Sequence, residues 1–251
     1  MKTPYELDYI FDEPVKYKTL RLHPVRMRDY FYFFGVSDIL TVDKNSIPDM
    51  NIISMSYLDY LMAYSNDENI YVQKVLGILS ICTKEEDISV YKTGENKFTL
   101  NIKKETYTPN DFDEIIKIIC EQNLVEVPDF SIQKEIRDRM EEGKRLKSRE
   151  SGHKMAPLED QMVSLAMATG VPIESIYNMT FRKFSKALER VDLRMHYEIY
   201  LSASMSGFVS FKDKSFIKHW LSDTEKEDTS MINVQSLENK ISFKDKMNGG
   251  E

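Results

Sequence analysis

Apolar positions recur at helical spacing through most of the chain and alternate only in short stretches. The clearest stripe is Phe181, Phe184, Leu188, Val191, Met195 and Ile199, spaced 3, 4, 3, 4 and 4. That period is close to 3.6 and predicts a straight amphipathic helix, not a coiled-coil heptad. Thr180 is placed to cap it. Upstream, Met162, Leu165, Ala166 and Thr169 mark one face of a helix that opens near Pro157 in its first turn. Gly170 can adopt positive φ and end that helix. Pro172 and Glu174 favour a second, short helix start. Gly207 closes the pattern.

The N-terminal half mixes both periods. Residues 5–24 read as a hairpin or two short strands. In that reading Leu7–Phe11 leads into a turn at Asp12-Glu13-Pro14, and Val15–Leu22 forms a one-sided strand. Arg26–Leu40 is helical and carries five successive aromatics, Tyr30 to Phe34. A helix spreads five successive side chains around its axis, so they cannot all enter one core. Some must meet a neighbouring element or a partner surface. Helices follow at Asn51–Tyr64 and Asn69–Thr83. Ile88–Tyr91 and Phe98–Ile102 flank Thr93-Gly94-Glu95-Asn96, a hairpin signal. Thr108-Pro109 opens a helix that runs to Gln122 with Phe112, Ile115, Ile116 and Ile119 inward.

Four regions result: a hairpin-plus-helical part over 1–126, a charged helix or linker over 127–156, a helical part over 157–223 and a mobile polar tail over 224–251. Met231, Ile232 and Leu237 are apolar anchors within that tail. The fold class is α+β, mainly helical, with two small hairpins.

Composition adds limits. The chain has 251 residues, enough for a substantial core in one or two domains. Its net charge is −7, which argues against a general nucleic-acid binder. Its two cysteines, Cys82 and Cys120, lie in apolar tracts and read as reduced core thiols. No tract approaches a membrane span, and acidic residues at Glu6 and Asp8 argue against a signal peptide. A reducing bacterial cytoplasm is the expected compartment. No phosphate-binding glycine loop, nucleophile elbow or histidine metal motif stands in the sequence. No catalytic, cofactor or metal site is therefore assigned, and no enzyme is expected.

One alternative carries chemistry. Ala166, Gly170 and Ile176 have the spacing of a helix-turn-helix, within residues 162–194. Ser175, Tyr177 and Asn178 would then enter a major groove, and Arg182, Lys183 and Lys186 would meet phosphates. Any short helix, glycine turn and second helix gives the same pattern, and Glu174 would sit against the groove.

Ser54–Leu61, Asn178–Phe184, Met205-Ser206-Gly207 and His219-Trp220 together resemble tail-morphogenesis proteins of tailed phages and prophages of low-GC Gram-positive bacteria. The similarity is to tail assembly chaperones and covers roughly residues 15–85 and 157–222. It implies a non-enzymatic binding protein of the host cytoplasm that covers apolar helical surface on the tape-measure protein until tube subunits assemble. It implies no cofactor, no membrane and no nucleic acid, and is compatible with a homo-oligomer. The middle hairpin and charged linker depart from the shorter members of that family. Tyr30, Phe31, Phe33 and Phe34, with Met231, Ile232 and Leu237, are the expected protein contacts. The chain's 14 methionines suit an adaptable surface.

Overall fold

The first element departs from the sequence reading. Leu7–Phe11 is not a strand: Glu6–Phe11 forms helix α1 in the computed structural model. Tyr9 alone is buried from it, while Leu7, Ile10 and Phe11 fall at i, i+3 and i+4 on the outer side. Asp12 ends the helix in the left-handed region, at φ 60°. Residues 4–44, 49–63, 70–127, 136, 138–140, 142, 156–207, 211, 217 and 219–222 are described.

Val15–Tyr17 (β1) and Leu20–Leu22 (β2) form a hairpin by themselves, where one strand was expected. Lys18, at φ 54°, turns it. A 3-10 turn at Met27–Asp29 leads into α2, Tyr30–Val36, and a second 3-10 turn covers Ser37–Thr41. The helix predicted over Asn51–Tyr64 is two helices, α3 (Met50–Ser54) and α4 (Tyr57–Ala63). Met55 between them is extended, and the Ser56 hydroxyl accepts from the Asp59 N–H at 3.1 Å, so the chain restarts there. Helix α5 spans Ile70–Thr83.

Strands β3 (Ile88–Gly94) and β4 (Lys97–Ile102) pair antiparallel as predicted. A third strand, β5 (Glu105–Tyr107), extends the sheet on the β4 side. Its three residues are too few for an alternation to show. Helix α6, Pro109–Gln122, starts with a full capping box: the Thr108 hydroxyl accepts from the Asp111 N–H, and the Asp111 carboxylate accepts from the Thr108 N–H.

After residue 142 the described chain resumes at 156. Helices α7 (Leu158–Thr169), α8 (Ile173–Asn178) and α9 (Phe181–Met205) follow the predicted order. Pro157 sits at the N-cap and not in the first turn. Gly170, at φ 72°, closes α7 as its sequence position predicts. The whole is an α+β fold, mainly helical, with two small antiparallel sheets. Most of 127–156 and all of 224–251 lie outside the described residues.

Buried side chains form two clusters. The larger runs from Tyr9 to Cys120 and centres on Phe33, Leu58, Ile78, Leu100, Phe112 and Ile115. The smaller joins Leu165, Ile176 and Phe184 to Met27, with Tyr30 and Phe181 packed against it. Residues 25–34 therefore contribute to both clusters.

Candidate protein-interaction surface

The segment Val25–Met27, with Arg26 extended, links the two clusters. The Phe181 N–H donates to the Val25 carbonyl at 2.8 Å, and the Met27 N–H donates to the Met179 carbonyl at 2.9 Å. The Asn123 side chain accepts from the Val25 N–H at 2.8 Å on the other side. The end of α6, the 25–27 segment and the start of α9 are thus tied in one hydrogen-bonded series.

Charges reinforce the junction. The Arg182 guanidinium donates to the Glu121 carbonyl at 2.7 Å and lies over the Tyr9 ring, 5.2 Å from its centroid. Burial, then the neighbouring Glu121, raises the Tyr9 hydroxyl above its ordinary pKa. Asp12 accepts from the Thr180 hydroxyl at 2.7 Å and from the Lys183 ammonium at 3.2 Å. Arg26 donates to the Asn178 carbonyl at 3.0 Å.

The aromatic run divides around α2. Phe33 is fully buried in the larger cluster. It presents nothing to a partner, which corrects its assignment as a contact residue. The Tyr30 and Phe34 rings meet at a tilt, 4.4 Å between centroids, and both meet Phe181, at 5.3 and 5.2 Å. Their first role is to join α2 to α9, although Phe34 keeps one face exposed. Tyr32 lies across Gly77 of α5, where an added Cβ would stand 3.1 Å from its hydroxyl. Phe31, 75% exposed, is the member of the run that points outward most fully.

Helix α1 supplies apolar surface that the sequence reading missed. Leu7, Ile10 and Phe11 are 68%, 56% and 69% exposed. As a strand these residues would have alternated, with Leu7 and Phe11 opposite Ile10. As a helix they share one face. Met231, Ile232 and Leu237 lie outside the described residues.

Ser175, Tyr177 and Asn178 are exposed on α8, while Ile176 is fully buried and anchors that helix. The helix has six residues, under two turns. Its outer side shares a shallow cleft with Asp12 and Glu174, two carboxylates where a phosphate backbone would approach. Of the basic residues assigned to phosphates, Arg182 and Lys183 serve the junction, and Lys186 pairs with Glu189 at 3.2 Å.

Two clefts have other character. One, of about 430 Å³, is lined mainly by apolar groups of Leu40, Tyr57, Ile116, Cys120 and Val125, with Asp113 and Lys117 on its lining. Desolvation raises the Asp113 carboxyl above its ordinary value. The other, of about 650 Å³, lies between the β1–β2 hairpin and β4–β5. There the Thr19 hydroxyl donates to Glu105, and Tyr107 donates to the same carboxylate at 3.1 Å. Burial, then Lys84 and Arg21, lowers the His23 pKa. Among the described residues no cluster of three or more His, Cys, Asp or Glu is placed to hold a metal. Among them, too, no helix is long and apolar enough to cross a membrane.

Residues 147–225 match a family model described as the YomV second domain. The matched stretch contains α7, α8 and α9. YomV is a Bacillus phage or prophage protein, so the match points to a phage-related origin. No curated protein and no solved structure matches the chain.

Proposed function

We propose that this protein is a non-enzymatic phage tail morphogenesis protein that acts in the host cytoplasm. In this reading it is a tail assembly chaperone that holds the tape-measure protein before tube subunits enclose it. The observation that carries the proposal is the outer face of α1: three large apolar side chains at i, i+3 and i+4, all more than half exposed. Phe31, on α2, adds a fourth exposed apolar side chain. A helical client buries its own apolar stripe against such faces, and singly scattered apolar residues would not suffice. The phage-related match over 147–225 supports the setting.

The DNA-binding reading has weaker support. Gly170 and Ile176 adopt the conformation and burial a helix-turn-helix needs, but α8 is short, and Asp12 and the helix's own Glu174 line the cleft on its outer side.

The test is co-expression with the tape-measure protein encoded by the same phage genome. The wild-type chain is expected to co-purify with it. The triple variant Leu7→Ser, Ile10→Ser, Phe11→Ser should lose the complex and keep its helical circular dichroism, because these side chains leave the core intact. Equal recovery by both forms would remove α1 from the account. Recovery by neither would remove the chaperone role.

A further inference from the structure

Helix α9 outruns its neighbour. It has 25 residues and α7 has 12, lengths of about 37 and 18 Å. The smaller cluster covers α9 through Phe181, Phe184, Ala187, Leu188 and Val191 and goes no further. The apolar stripe continues: Met195 and Ile199 lie on the same helical face and are 55% and 61% exposed. A different face of this overhang is occupied. Tyr197 meets His219 at 5.0 Å, and Arg190 donates to the Trp220 and Ser222 carbonyls.

We propose that the free face of the α9 overhang pairs antiparallel with the same face of a second copy of this chain. The charges flanking the stripe argue for that occupant. At 100° per residue, Arg194 and Glu198 lie together on one flank of the Met195–Ile199 line, and Asp192 and His196 on the other. In a two-fold antiparallel pair each flank faces its own equivalent. Arg194 then meets Glu198 of the second copy, and Glu198 meets its Arg194, so no like charges are opposed. Within one copy these two already pair at 2.8 Å and both are exposed, free to exchange partners. A register centred near Tyr197 sets Met195 of one copy beside Ile199 of the other. The proposal is independent of the tail-chaperone reading.

The seam is short, so the dimer should be weak and visible at roughly 100 μM protein. Sedimentation velocity of the full chain over a concentration series reads it. The wild-type chain is expected to shift towards dimer with concentration, and the double variant Met195→Glu, Ile199→Glu to stay monomeric with an unchanged melting temperature. Arg194→Glu alone and Glu198→Arg alone should each weaken the dimer about tenfold, since each opposes like charges. An equimolar mixture of those two variants should restore it as a heterodimer. A wild-type chain that stays monomeric overturns the proposal, as does a dimer indifferent to Met195 and Ile199. A mixture no tighter than its components also overturns it. So does a monomer that uses this face to hold a different protein.

Discussion

Among the described residues, several separate ties converge on Asp111. It closes the cap of α6 and also holds the first hairpin, accepting from the Tyr17 hydroxyl at 2.7 Å and pairing with Lys18 at 2.5 Å. Burial pushes its carboxyl up. The Lys18, Tyr17 and Thr108 donors outweigh that and keep it well below the usual carboxylate range. A carboxyl with a depressed folded pKa contributes stability above its unfolded value and loses it as pH falls towards the folded one. The contribution of Asp111 is therefore full at neutral pH and declines below about pH 3.8. Asp111→Ala should cost roughly 2–3 kcal/mol at pH 7, since the cap and a charge-assisted bond are lost together. The difference from wild type should shrink in urea melts taken at progressively lower pH. A constant difference down to pH 2 would contradict this assignment. The cysteines allow a simpler check at the same scale. Burial pushes the thiols of both Cys82 and Cys120 up, that of Cys120 to about 12. Neither should react with a disulfide reagent at pH 8 until the chain unfolds, and rapid labelling of the native protein would contradict their placement.

Among the elements, α9 depends on residues more than 150 positions earlier. Its cap residue Thr180 accepts from the Lys183 N–H and donates to Asp12. Thr180→Ala should lower stability by about 1–2 kcal/mol, more than Thr169→Ala, whose hydroxyl bonds only its own helix and turn. Thermal melts of the two variants decide it. The sequence exposed the α7–α9 pattern well because each boundary has a local cause: Gly170 needs positive φ, Thr180 offers an oxygen, and the stripe from Phe181 runs long enough to fix its period. Helix α1 was misread because six residues cannot separate a period of 3.6 from a period of 2, and Leu7–Phe11 carries residues that suit strands. The break at Met55-Ser56 was hidden for a similar reason, since the apolar spacing continues across it. What no local pattern contains is pairing between distant segments. The bond series through Val25 and Met27, and the second cluster's use of Met27 and Tyr30, depend on tertiary contact. The same contact decides that Phe33 is core and Phe31 is surface, although both are phenylalanines in one run.

At the scale of the molecule, unpaired apolar surface stands out on α1, at Phe31 and on the α9 overhang. The proposed function has the α1 surface and Phe31 hold a helical phage tail protein. It is tested most directly by titrating purified helical segments of the tape-measure protein into the full chain by calorimetry, at low and high salt. A complex with a negative heat-capacity change is expected. Its affinity should fall little with added salt, and it should be lost in the Leu7→Ser, Ile10→Ser, Phe11→Ser variant and weakened by Phe31→Ser. Absence of binding, binding equal in wild type and variants, or a steep loss of affinity with salt as for a polyanion ligand would contradict it.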